Sequence, residues 1–166
     1  MLYRIKQFLV CAAAMASLAV TPLNLHSQEV IMQKAISLDL AHAIAQAALD
    51  NCRSHNYHPA IVVIDASGAL KVVLRDDGSG PQNTDTARRK AFTALTFKGN
   101  SSDQVKIWET QKIPNIGPDR VALAGGVAIK AGNEVIGAIG IGGATSSERD
   151  EACALAGVAK YADKLK

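Results

Sequence analysis

Two runs of β-branched residues, each followed by a short turn and a return run, constrain this chain more than any other feature. Ala60-Ile-Val-Val-Ile64 is too short for a helix and suits a buried strand, and Pro59 opens it. Asp65-Ala-Ser-Gly68 supplies a turn and Ala69-Leu-Lys-Val-Val-Leu-Arg75 returns, so the sheet begins as an antiparallel hairpin. Val127-Ala-Ile-Lys130 and Glu134-Val-Ile-Gly-Ala-Ile-Gly-Ile141 form a second hairpin around Ala131-Gly-Asn-Glu134. Arg120-Val-Ala-Leu-Ala124 reads as a further strand that breaks at Gly125-Gly126. Glycines alternating along the last strand let another layer approach closely.

Helices fill the spaces between. Ser37 can cap a helix that starts at Leu38, with Asp39 at its positive end and Leu40, Ile44, Ala47 and Ala48 as an apolar face. A second helix is expected from about Thr84 to Phe97, turning Ala87, Ala91, Ala94 and Leu95 inward. A shorter one around Ser102 to Lys112 carries Trp108, and Ile113–Pro118 ends it as irregular chain. Ser147-Glu-Arg-Asp150 has capping-box spacing for a final helix that packs through Leu155, Ala159, Ala162 and Leu165. The sum is an α+β domain: an antiparallel five-stranded sheet with helices over it.

The chain has 166 residues, room for one domain with one sizeable core. Before that core comes a leader. Arg4 and Lys6 precede an uncharged apolar run from Phe8 to Val20, too short to span a bilayer, and small polar residues follow. Residues 1–27 therefore read as a secretory signal peptide, cleaved somewhere between 19 and 28, and 28–166 as the single mature domain. An uncut membrane anchor is the alternative. Export puts Cys52 and Cys153 in an oxidising periplasmic or secreted setting, where a disulfide between the first and last helices and a pair of inert thiols both fit the pattern. A net charge of +3, with Arg88-Arg89-Lys90 as the one basic run of three, argues against nucleic acid as a partner.

The residues able to do chemistry are few. Gly137-Ala-Ile-Gly140-Ile-Gly142-Gly143 has the look of a nucleotide loop but lies in a hairpin strand, with no βαβ unit around it. His42 is one turn into the first helix, and His55 and His58 sit in the loop feeding the first strand. An imidazole in such a loop presents one nitrogen to a metal while the other is held by hydrogen bonding, as an axial haem ligand requires. Arg75, Arg89 and Lys90 offer cations for haem propionates or another small carboxylate, and the glycines of Arg75–Gln82 let backbone amides approach a ligand.

At these residues the chain resembles the GlcG/HbpS-like haem-binding family. Ile61-Val-Val-Ile-Asp65-Ala-Ser-Gly68 is similar to its VVD-x-x-G strand and turn, and Arg75-Asp-Asp-Gly-Ser-Gly-Pro-Gln82 to its R-x-D-G loop. Arg89-Lys-Ala-Phe-Thr-Ala94 resembles its KA-x-TA helix, and Leu123-Ala-Gly-Gly126 with Val135–Gly143 resembles its glycine-rich elements. The resemblance runs from about Ser37 to Ala159. It implies a profilin-like three-layer α/β/α fold, dimer-based homo-oligomers, and binding of haem or, less favoured, the corrinoid of PduO-type relatives. It makes His58 the first choice of axial ligand to haem iron, with His42 and His55 in reserve. Arg75, Gly78, Lys90, Thr93 and Gly126 would line the pocket. Two departures stand out: Gly125-Gly-Val-Ala128 replaces Gly-Gly-x-Pro, and Asp85 with Arg88 replaces an acidic pair, so iron binding at that pair is not carried over.

The functional expectation is an exported protein that stores, scavenges or senses haem, with weak haem degradation allowed by the resemblance. Two rivals come from other classes. One is an enzyme acting on a small carboxylate of glycolate or aromatic-acid metabolism, with Lys90 or Asp77 as acid or base. The other is a non-catalytic partner of a membrane receptor.

Overall fold

The computed structural model describes residues 31–112 and 117–166, of which residues from 33 onward form one compact unit. The expected leader and most of the Ile113–Pro118 break lie outside the described residues. Among those described, no helix is long and apolar enough to cross a membrane.

The elements run α1 (Leu38–Ser54), β1 (Ala60–Asp65), β2 (Leu70–Arg75), α2 (Asn83–Phe97), α3 (Ser101–Gln111), β3 (Gly126–Ala131), β4 (Glu134–Gly142) and α4 (Ser147–Ala159), followed by a 3-10 turn at Ala162–Lys164. Both hairpins form where the sequence places them. The sheet has four strands in the order β2-β1-β4-β3, with every neighbouring pair antiparallel. The expected fifth strand is absent. Residues 120–124 run irregularly past α2, and Thr93 satisfies the backbone of one of them: its Oγ1 lies 3.1 Å from both the N and the O of Val121. A side-chain hydroxyl thus takes the two bonds that a strand partner would have supplied.

Alternation in β1 divides the interior. Ile61 and Val63 join Ile139 and Ile141 under α1 and α4, while Val62, Ile64 and Ala138 meet Ala87, Ala91 and Ala94 of α2. Helices therefore cover both faces, and β1 is buried along its length except at Asp65. With Gly126, Gly140 is one of the two closest points of the α2 contact. A Cβ there would collide with the carbonyl oxygen of Ala87, so glycine sets the helix-to-sheet distance.

On the opposite face Ser37 caps α1, its Oγ accepting from the Leu40 amide at 3.2 Å. The apolar stripe is rotated from the expected one, with Ala41, Ile44, Ala45, Ala48 and Cys52 at its centre and Leu40 at its margin. That rotation brings α1 against α4 and joins Cys52 to Cys153 in a disulfide with Cα atoms 5.5 Å apart. Two expectations for α4 are corrected. Ser146, not Ser147, is the cap, accepting from Arg149 N. The inward face is Asp150, Glu151, Cys153, Ala154 and Gly157, while Leu155, Ala159 and Ala162 are exposed and only Leu165 packs.

Candidate functional site

One end of the sheet gathers most of the candidate ligands. β1 begins there at Ala60, paired with Arg75 at the end of β2 and with Gly142 at the end of β4. The loop entering β1 brings His55 and His58, and the loop leaving β2 brings Asp76 to Ser79. Asp76 is the organiser. Its side chain is 2% exposed, and its carboxylate meets Arg53 Nη2 at 2.5 Å and His58 Nδ1 at 3.0 Å. The Asp77 amide donates to it as well, at 2.9 Å.

The Arg53 guanidinium, followed by the His58 contact, outweighs burial and holds the Asp76 carboxyl down at about 2. Asp76 is therefore ionised and can only accept, so the contact requires a proton on His58 Nδ1 and leaves Nε2 as the nitrogen open to a ligand. The ring is 59% exposed, and Nε2 has no hydrogen-bond partner among the described residues. A carboxylate-oriented imidazole of this kind is the usual form of a metal-binding histidine.

Linkage follows with a definite sign. A depressed carboxylate pKa stabilises the fold above its ordinary value of 3.8, and that contribution is lost as pH falls toward about 2. Asp76→Asn should remove it. In urea melts the variant is expected to be less stable than the parent above the window, with the gap closing within it. Parallel curves across the window would show that Asp76 is not the titrating group.

The loop entering β1 also borders a cleft that His55 lines and His58 does not. Arg149 stacks over Tyr57 at 5.6 Å, and Tyr57 stacks with His55 at 5.9 Å. Asn51, His55, Tyr57, Arg149 and Cys153 line a cleft of about 250 Å³. Arg75 is exposed and donates through Nη2 to the Ser79 carbonyl, closing the loop in which Gly78 adopts φ +79° with open space beside it.

The remaining candidates are elsewhere. His42 is exposed near the start of α1, 13 residues or about 20 Å along the helix from His55. Lys90, Thr93 and Gly126 are interior. Lys90 is 1% exposed with Nζ 2.6 Å from Asp150 Oδ2, and a Cβ on Gly126 would strike the Lys90 carbonyl. Glu151 completes this network by accepting from Ser102 and from the Gly125 amide, and Gly126 N donates to Ser101 Oγ. Neighbours on the KA-x-TA helix thus serve the packing of α2, α3 and α4. Arg88 spans Asp85 at 3.4 Å and Asp119 at 3.0 Å. No group of three or more His, Cys, Asp or Glu side chains gathers as a metal site among the described residues.

The family model described as haem degrading protein HbpS-like matches residues 36–159. The chain belongs to the HbpS-like family. Among solved structures, HbpS is 33% identical with a TM-score of 0.76, covering 80% of this chain and 94% of that one. A double mutant of HbpS from Streptomyces reticuli is 33% identical with a TM-score of 0.77, covering 86% and 97%. The PduOC–haem complex is 23% identical with a TM-score of 0.67, covering 76% and 94%, a likeness of fold. A comparison with curated protein sequences returns no match.

This HbpS-like chain holds two residues at its site that sequence reading passed over, Arg53 and Arg149. Arg53 carried a signal in principle, since it lies one residue before the end of α1 and so faces the loop that α1 feeds. Arg149 carried none.

Proposed function

We propose that this chain is an exported haem-binding protein that holds haem, or a related tetrapyrrole, at an exposed edge of the domain and passes it on. The His58–Asp76 pair carries the reading: an oriented imidazole with Nε2 free supplies the neutral axial nitrogen that haem iron takes. Arg75 and Arg149, both exposed and on the segments that border this end of the sheet, offer charge to the propionates. Family membership and the PduOC–haem complex support the choice of ligand. Bound haem would supply an iron centre; His58 would hold the iron, and Arg75 and Arg149 the haem carboxylates.

The neighbouring cleft, at about 250 Å³, lies below the roughly 300–1,000 Å³ of sites that enclose a small ligand. With the His58 ring 59% exposed as well, a ligand held there would lie at the surface, which suits scavenging and presentation more than sequestered storage. A second copy would cover it, and the edge strand β2, with Leu70 and Val73 exposed, offers a surface for one. The Cys52–Cys153 disulfide supports the exported setting, because such bonds persist in oxidising compartments.

Hemin titration tests the proposal. The parent should shift the Soret band and His58→Ala should lose the shift, while His42→Ala keeps it. Asp76→Asn should weaken binding by roughly 10–100-fold, the usual effect of losing the partner that orients a metal-bound histidine. A spectrum unmoved by protein, or a His58→Ala variant that binds like the parent, would overturn the assignment.

A further inference from the structure

The other end of the sheet carries a second concavity with a different chemistry. A cleft of about 690 Å³ opens between the segment before α1, the C-terminal end of α2 and the β3–β4 turn. Lys34, Lys98 and Lys130 line it, together with Gly132, Asn133 and Glu134. A smaller depression of about 260 Å³ shares Lys98, Glu134 and Val135 and continues it toward Ala66, in the β1–β2 turn. The larger cleft is within the roughly 300–1,000 Å³ of small-molecule sites.

Charge decides what such a site would take. None of the three ammonium groups has an ion-pair or hydrogen-bond partner among the described residues, and Glu134 is the one carboxylate of the lining. The walls are held by specific contacts. Glu134 Oε1 accepts from the Lys34 backbone N at 3.4 Å, tying the segment before α1 to the hairpin. The pairing register shifts between Ile129 and Lys130, a bulge of the kind that re-aims a side chain. Lys98 closes α2 at φ +57°, a left-handed conformation that favours glycine, although Gly99 is the next residue.

We infer that this cleft is a binding site for a small phosphorylated anion, separate from the histidine site. Lysine ammonium groups act as compact point charges that suit the tetrahedral oxygens of phosphate, and three of them around one cleft match a group that carries more than one negative charge. The Asn133 amide adds a neutral donor.

Calorimetric titration of the full chain with inorganic pyrophosphate at low ionic strength tests the site. The parent should bind, and added salt should weaken the binding. Lys130→Glu and Lys34→Glu, both at exposed positions that leave folding intact, should each weaken it at least tenfold. Glu134→Gln should tighten it, because it removes the one like charge. The Soret response to hemin should stay unchanged in all three variants, which keeps this test independent of the haem reading. Absence of binding by the parent, or lysine variants that bind like it, would overturn the site. Citrate binding as tightly as pyrophosphate would overturn the phosphate preference.

Discussion

Replacing Cys52 and Cys153 together by alanine is expected to cost about 3–5 kcal/mol, and to lower Tm by roughly 10–20 °C. The bond closes a loop of 101 residues, so without it the unfolded chain regains the entropy of nearly the whole domain. Local geometry favours the bond. The Cα separation of 5.5 Å falls within the range that a disulfide spans without backbone movement. α1 and α4 come close because Gly157 has no room for a Cβ against Ala48, and both sulfurs lie in the core, at 0% and 1% exposure. Alanine also leaves small voids there. The cleaner arm is therefore the parent chain unfolded and refolded in reductant, which keeps both side chains and removes the cross-link alone. Equilibrium urea melts should show most of the loss in that arm, with a larger m-value because the unfolded ensemble expands. Equal midpoints with and without reductant would show that the bond contributes nothing to stability.

How far the sequence reached depended on the range of the interaction. The hairpins were legible because the turn at Asp65–Gly68 and the β-branched runs beside it are local signals, and the observed pairing follows them. The Ser37 cap was legible for the same reason. Arg120–Ala124 carries the same local pattern and is not a strand; within it Thr93 on α2, 28 residues away, takes both backbone groups of Val121. Of the candidate site, the position of His58 before β1 could be read. Its partner Asp76 stood in the loop already singled out, but nothing local said that its carboxylate turns inward. Lys90 shows the same limit from the other side. Next to Arg89 on a helix it resembled a pocket cation, and only Asp150, 60 residues on, makes it interior. Pair partners distant in sequence set both outcomes.

That buried pair should also give the largest single-residue effect in the molecule. Lys90→Met keeps most of the side-chain volume but strips Asp150 of its counter-charge at 3% exposure, and should cost about 3–5 kcal/mol. Burial already pushes the Asp150 carboxyl up, with Lys90 as the strongest force pulling it down. Without Lys90 the folded carboxyl takes up a proton at still higher pH than the unfolded one. The variant's deficit should therefore shrink as pH falls through that raised value, the same direction as the gap expected for Asp76→Asn but in a window above the ordinary carboxylate value and not below it. Adding Asp150→Asn should recover most of the loss at neutral pH. The amide oxygen still accepts from Ala144 N, now 2.8 Å from Asp150 Oδ1, and no charge is left to desolvate. Urea melts of the two single variants and the double variant measure the coupling. If Lys90→Met alone is neutral, the carboxylate of Asp150 reaches water or another donor in solution. A double variant no better than Lys90→Met would instead show that the lysine acts through packing against Gly125 and not through its charge.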